Sequence, residues 1–296
     1  MTIDQQAVAF LGFGEAAMAF IKGWGANRPA SIKAFDIKTN DPDVAIRDAK
    51  NADYQKLTVL GAVSAAVAMA DTRAVFSLVT ADQAALVAQN AATSFPKGAF
   101  FFDCNSCAPG TKRRNADIIE AAGGRYVDVA VMAPVYPKLH KTPLLLSGPH
   151  AEAGLAYLAA LDMAPAIVEG DIGAGSSIKM IRSIMMKGME ALFAECVLAG
   201  RKAGVEEAVL ASLDKTYPGF DFPAKAGYML ERSMTHGIRR AAEMEEVALT
   251  VHELGLANDM ASATVQWQRR IGTLKLDAGE LEYQDRADMI LKALED

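Results

Sequence analysis

The 296-residue chain holds only three cysteines, four histidines and two tryptophans. Three cysteines cannot build the disulfide framework of a small secreted domain. Cys104 and Cys107 form a lone C-x-x-C with no second Cys or His pair to complete a zinc site, so both read as free buried thiols and no metal is expected. His140, His150, His236 and His252 form no cluster, and only His236 falls where a site is expected. No stretch of about 18 apolar residues reads as a membrane span. The opening MTIDQQ lacks the basic start of a signal peptide. A net charge of −6 offers none of the basic footprint that nucleic acid requires. These absences point to a protein of the reducing cytoplasm that meets a small molecule, with neither nucleic acid nor membrane as partner.

What is present is a composition of 51% hydrophobic and 22% charged residues, as in a globular enzyme. Ala7–Leu11 passes as a buried strand and runs into a G-x-G-x-x-A made of Gly12, Phe13, Gly14, Glu15, Ala16 and Ala17. A helical pattern of Met18, Phe20, Ile21 and Trp24 follows. Strand, glycines and helix in that order are the context of a dinucleotide-binding turn. Gly12 permits the turn, Gly14 lets a pyrophosphate approach the backbone at the positive helix end, and Ala17 allows close helix–sheet packing. The alternative is a glycine-rich turn used for packing alone. Ser31–Asp36 reads as the second strand. Its terminal Asp36 stands about twenty residues beyond the glycines, where an acid accepts hydrogen bonds from the adenosine ribose. That acid favours NAD, although Lys38 leaves NADP possible and a solvated turn is the plainer reading of Asp36.

Strand-like and helix-like segments then alternate. Further strands are expected at Thr58–Leu60, Ala74–Val79, Ala99–Asp103, Arg125–Val129, Pro143–Ser147 and Ala166–Val168, with helices between most of them. This is the pattern of a doubly wound, mostly parallel sheet of Rossmann type. The C-terminal strand ends of such a sheet line a crevice, which brings Val79, Thr80, Asn105 and Ser106 toward a cofactor. From Gly173 onward the pattern is helical throughout. Residues 1–172 are therefore expected to form the dinucleotide-binding domain and 173–296 an all-α domain. A long helix over Gly173–Gly204 joins the two. After it, helices are expected at Glu206–Asp214, Ala224–Thr235, Arg239–Leu254, Asn258–Lys275 and Gln284–Leu294.

Within the long helix, Lys179, Ser183, Lys187 and Glu190 recur at intervals of four, four and three and so share one face. The ordinary meaning of such a stripe is a solvated surface. Its neighbours Met180, Ile181, Met185, Met186 and Met189 leave little room for one. A lysine in that setting could exchange a proton with a substrate hydroxyl while nicotinamide carries hydride. Trp267 and the apolar residues around it read as core or as a dimer interface.

Gly173-x-Gly175-x-x-x-Lys179-x-x-x-Ser183 resembles the G-x-G-x-x-x-K-x-x-x-N signature of the 6-phosphogluconate and 3-hydroxyisobutyrate dehydrogenase superfamily, the β-hydroxyacid dehydrogenases. The early G-x-G-x-x-A followed by Met18-Ala19 is similar to that family's opening. Asp103-Cys104-Asn105-Ser106 through Pro109 resembles its D-x-S-T-x-x-P, and Asp128 to Val131 the start of its D-A-P-V-S-G-G substrate segment. The resemblance implies a Rossmann domain, a long interdomain helix, an all-α dimerisation domain and a homodimer. It also implies an NAD(P)-dependent hydride transfer at a CH–OH group with Lys179 as general acid/base.

Three departures accompany it. Ser183 replaces the family's asparagine as the second catalytic position. Met132-Ala133-Pro134 replaces S-G-G, so the substrate set reads Ser106, Val131, Met132, Ala133 and Lys187. His236, Arg239 and Arg240 occupy the region where relatives place a lysine and an aspartate, and would meet a polar or anionic substrate. An imine reductase of the same architecture and a non-catalytic NAD(P)-binding protein are the competing expectations. The chain resembles a divergent branch of the superfamily.

Overall fold

The computed structural model describes residues 7–295, so the opening MTIDQQ lies outside the described residues. The chain divides into two compact units, Met1–Met180 and Ile181–Asp296. In the first unit, strands and helices alternate as β1 (Ala7–Leu11), α1 (Glu15–Trp24), β2 (Ser31–Phe35), α2 (Val44–Lys56), β3 (Leu60–Gly61), α3 (Ala65–Met69) and β4 (Ala74–Ser77). They continue as α4 (Ala84–Ala92), β5 (Phe100–Asp103), α5 (Pro109–Ala121), β6 (Arg125–Val131), β7 (Pro143–Ser147), α6 (Ala151–Ala160) and β8 (Ala164–Ile167). The strands make one eight-stranded sheet in the order β3-β2-β1-β4-β5-β6-β7-β8. Every neighbouring pair is parallel except β6 and β7, which run antiparallel.

The apolar runs of β1, β4 and β5 are continuous because both faces of these strands are covered. On one face Phe10, Phe76 and Phe102 form a ladder with ring centroids 5.1 Å apart at each step, covered by Phe20 and Trp24 of α1 and by Leu158 of α6. On the other face Ala9, Val75 and Phe101 pack with Met69, Ala88 and Ile119. The ladder is fully buried, and it holds the strand ends that carry the site.

The remaining helices are α7 (Ala174–Ala203), α8 (Glu206–Thr216), α9 (Phe222–Glu253), α10 (Asp259–Thr273) and α11 (Tyr283–Glu295). The expected boundary at 172/173 precedes α7, whereas the compact units divide within it, after Met180. The two helices expected at Ala224–Thr235 and Arg239–Leu254 are one helix of 32 residues. Gly237 interrupts the pattern for a packing reason and not as a break. A Cβ there would lie 2.5 Å from the Gln268 carbonyl oxygen and 2.7 Å from the Gly272 Cα, so α9 and α10 cross in near backbone contact. The polar stripe of α7 is not solvated, but apolar neighbours expected to leave little water-facing surface, Ile181 and Met185, face outward. Ser183, Lys187 and Glu190 are buried, while Ile181, Met185 and Leu192 are 50%, 63% and 64% exposed. No helix among the described residues is long and apolar enough to cross a membrane.

Candidate active site

The glycine-rich turn after β1 has the conformation its sequence predicts. Gly12 adopts φ +86°, and a Cβ there would lie 2.3 Å from the Leu78 carbonyl oxygen. Gly14 is the N-cap of α1, with no side-chain cap bonded to the helix start and no atom within 4 Å of where its Cβ would be. A helix start with no side-chain cap and open space at its glycine is what an anionic pyrophosphate needs. Glu15 is exposed there, Ala16 is partly covered and Ala17 is buried against the sheet. Asp36 follows β2 beside this turn, one residue past the strand expected to end on it, and its Oδ2 accepts from the Phe13 amide at 2.8 Å while Oδ1 accepts from the Lys38 amide at 3.0 Å. The acid is thus oriented by the glycine turn itself, and Lys38 is exposed. Beneath the turn, Lys50 donates to the Phe13 carbonyl at 2.6 Å. These residues fit a dinucleotide.

The strand order reverses direction between β1 and β4, and ligands of open α/β sheets bind outside the strand ends at such a point. Register brings one row of residues together there. Leu11 pairs with Ser77, Ser77 with Asp103, Asp103 with Asp128, and Asp128 with Ser147. Asn105 knits the row. Its Oδ1 accepts from the Val79 amide at 2.7 Å, and its Nδ2 donates to Ser77 Oγ at 2.9 Å and to Asp103 Oδ1 at 2.8 Å. Val79 and Asn105, both expected at the cofactor, are therefore joined, with exposed Thr80 next in the chain. Ser106 follows, and its Oγ accepts from Lys179 Nζ at 2.7 Å. A lysine and a serine far apart in sequence meet at the strand ends, and an ammonium–hydroxyl pair can pass a proton. Val131 closes β6, and Met132 and Ala133 follow it, all three partly covered.

The expected residues of the second unit form a separate network. Lys187 donates to Ser183 Oγ at 3.2 Å and pairs with Glu243 at 3.0 Å. Glu243 also pairs with the exposed Arg239 at 2.8 Å. Arg240 turns inward, where Glu190 accepts from it at 2.6 Å and from Gln268 at 3.2 Å. Its charge is neutralised internally, so Arg239 is the guanidinium that reaches solvent. Burial raises the Glu190 carboxyl even though Arg240 and Lys187 oppose the shift. His236 is partly buried, and burial, then Arg232, Arg239 and Arg240, press its imidazole down to about 4.

All three cysteines are free. Burial pushes the Cys104 thiol up to about 12, which leaves it unreactive. Among the described residues no group of His, Cys, Asp or Glu is arranged to hold a metal.

A conserved hypothetical protein from Sinorhizobium meliloti 1021 is similar to this chain at 35% identity, over 98% of this chain and 97% of that one, with a TM-score of 0.72. The chain belongs to the family of that protein. Within the family's helical unit, a domain of unknown function, DUF1932, matches residues 201–271. A Mycobacterium tuberculosis 3-hydroxyisobutyrate dehydrogenase, solved with L-serine, is similar over 97% of this chain and 99% of that one, at 15% identity and a TM-score of 0.69. A reductive aminase from Aspergillus terreus, in complex with NADPH and ethyl levulinate, is similar over 96% and 99% of the two chains, at 17% identity and a TM-score of 0.56. No match was found among curated proteins. The chain shares its fold with that 3-hydroxyisobutyrate dehydrogenase, a mostly parallel sheet followed by an all-helical unit.

The structure adds residues that the motifs do not mark. Lys112 is fully buried between Asp103, at 3.1 Å, and Asp128, at 3.4 Å. Burial pulls its ammonium toward neutrality, and the two carboxylates more than offset that, so Lys112 stays charged. Tyr126 and Asn115 donate to Asp103 Oδ2 at 2.7 and 3.2 Å. Acids in two adjacent strands with a lysine inside the intervening helix were the available signal. Charged residues of that kind are seldom buried unless they are paired.

Proposed function

We propose that the protein is an NAD(P)-dependent oxidoreductase that moves hydride between nicotinamide and a hydroxyacid or its carbonyl partner. Lys179 serves as general acid/base. The observation that carries this reading is the Lys179–Ser106 pair, 2.7 Å apart, at the strand ends of the same sheet that carries the glycine turn. Gly12 to Ala17, Asp36, Val79, Thr80 and Asn105 would hold the cofactor, whose nicotinamide supplies or accepts the hydride when bound. Lys179 takes the hydroxyl proton during oxidation and returns it during reduction. Ser106 orients the amine between these events and, with Val131, Met132 and Ala133, borders the substrate. Ser183, held by Lys187, is the second polar group of the lysine helix. Asp36 supports NAD over NADP, because a carboxylate repels the extra phosphate.

The test is a panel of hydroxyacids and aldehydes with NAD and NADP, read at the nicotinamide absorbance band. Loss of a general acid/base is expected to slow turnover by roughly 10²–10⁴-fold in Lys179→Ala. Undiminished turnover in that variant sinks the assignment. The likeness to a reductive aminase supports a second reading, imine reduction. Cyclic imines added to the panel separate the two, and the retained lysine favours the hydroxyacid. A non-catalytic NAD(P)-binding protein would bind cofactor by calorimetry and turn over nothing in the panel.

We also infer a homodimer acting in the cytoplasm. Its support is the groove of about 280 Å³ between α7 and α10, lined by Met185, Met189, Leu192, Met260 and Trp267 among others, of which Met260 is 70% exposed. Patches of this kind mark association sites. Light scattering that returns the mass of a single chain in both wild type and Leu192→Glu would remove the dimer.

A further inference from the structure

We propose that Asp128 is a positioning residue for Lys179, acting as an N-cap supplied to α7 from a neighbouring strand. The inference rests on the assignment of Lys179 as the acid/base.

A helix start leaves amide donors without partners, and a side chain at the N-cap position ordinarily accepts from them. The residue at that position in α7 is Gly173, which has no side chain. A Cβ there would lie 2.9 Å from the Pro109 Cβ, and one at Gly175 would lie 3.3 Å from the Leu145 carbonyl oxygen. The helix start is therefore pressed against the sheet, and the cap comes from across the gap. Asp128 Oδ2 accepts from the amides of Gly173 at 3.1 Å and Ser176 at 3.2 Å, and from Ser147 Oγ at 2.9 Å. Its Oδ1 accepts from Ser176 Oγ at 2.6 Å. Ser147 in turn accepts from the Gly175 amide at 3.0 Å. The donors at the start of α7 are thus gathered by two residues of β6 and β7.

Asp103, Asp128 and Lys112 together carry one uncompensated negative charge, and all three are fully buried. The positive end of α7 is the group that faces it. A neutral cap would hold the helix with less desolvation, so a carboxylate here fixes position more tightly than stability alone requires. Lys179 lies one turn beyond Ser176, on the same side of the helix. Pro109, on which Gly173 packs, is three residues after Ser106. The clamp therefore sets both ends of the Lys179–Ser106 hydrogen bond.

The test uses the full chain and does not need a known substrate. Asp128→Asn and Ser176→Ala are compared with wild type by hydrogen exchange of the amides of residues 173–176 and by the rate at which Lys179 is reductively methylated with formaldehyde, resolved by peptide mass spectrometry. Ser177→Ala is the control, because that hydroxyl donates within the helix to the Gly173 carbonyl at 2.7 Å. Removing a hydrogen bond to a charged group is expected to speed exchange by about tenfold and Lys179 methylation by at least about threefold, with the control unchanged. Lys179 methylation at the wild-type rate in a folded variant overturns the proposal, as does an equal rise in the control. If Asp128→Asn does not fold, Ser176→Ala decides alone, since it keeps the carboxylate and its ion pair. Where the hydroxyacid panel yields a substrate, kcat should fall in Ser176→Ala while KM for the nicotinamide cofactor holds. Failure of the whole panel removes the reaction class but leaves the exchange and methylation results to judge Asp128.

Discussion

Two glycines of α9 should respond in opposite ways to the same added methyl group. At Gly237 a Cβ would sit 2.5 Å from the Gln268 carbonyl oxygen and 2.7 Å from the Gly272 Cα, where ordinary contact begins at 3.4 Å. The helices must separate by about 0.9 Å, because the obstructing atoms are backbone and cannot rotate away. Overpacking generally costs about 1–3 kcal/mol, and backbone obstruction belongs to the upper part of that range. An alanine inside a helix returns roughly 0.5–1 kcal/mol relative to glycine. The net expectation for Gly237→Ala is a loss of about 2 kcal/mol. At Gly227 the new Cβ meets only Arg286 Nη1 at 3.7 Å and the Tyr283 Cβ at 3.8 Å, and the Gly227 carbonyl keeps its bond from Arg286 at 2.8 Å. Gly227→Ala should therefore gain roughly 0.5–1 kcal/mol. The pair differs by about 3 kcal/mol, a shift in urea midpoint on the order of 1–2 M. Urea unfolding followed by circular dichroism reads it. A Gly237→Ala protein as stable as Gly227→Ala refutes the close crossing, and with it the account of why α9 is unbroken.

Other perturbations follow from the buried charges. Lys112→Met leaves Asp103 and Asp128 adjacent in a fully buried site without their cation, and urea unfolding should show a loss of about 3–5 kcal/mol; a loss under ~1 kcal/mol would mean the site is hydrated. Folding lowers His236 from 6.5 to about 4, so between those values the unfolded chain binds a proton that the folded chain does not. His236 therefore opposes folding as pH falls from about 6.5 toward 4 and is silent above that window. Its NMR ring signals should stay flat between about pH 5 and pH 8, and a midpoint near 6.5 contradicts the burial argument.

The parts of the fold that were legible in the sequence are those with local signals. The strand before Gly12 is an apolar run that ends at turn residues, and Pro143–Ser147 appears as read. The reversal of β7 was available but easily passed over. Met132–Thr142 is too short, and too rich in proline, for the crossover that a parallel partner requires. The unity of α9 was not legible, because a glycine in a helical pattern signals a break or a close approach equally well, and only Gly272, on a different helix, decides between them. In the site, Lys179 and Ser106 both lie in motifs, but their contact, like the bonds that Asp128, Ser147 and Ser176 make, depends on the fold. Stripe periodicity grouped Ser183, Lys187 and Glu190 with Lys179 correctly as a helix face, but it could not tell whether that face meets water or protein.

That face accounts for the exposed apolar surface. Glu190 is bonded to Arg240 and Gln268, and Lys187 to Glu243 and Ser183, which fixes the rotation of α7 about its own axis. Buried ion pairs add little to stability compared with apolar residues of the same size, and what they specify well is register. A helix rotated so that residues at successive turns bury polar groups must turn its opposite residues outward. Ile181, Met185 and Leu192 are those residues, and all three are exposed. In an isolated chain, rotation by the polar network would leave apolar area in water at about 25 cal/mol per Å². In the proposed homodimer the same rotation presents a ready apolar surface to the second copy, so the network that orders the polar residues of α7 also determines which residues are available for association.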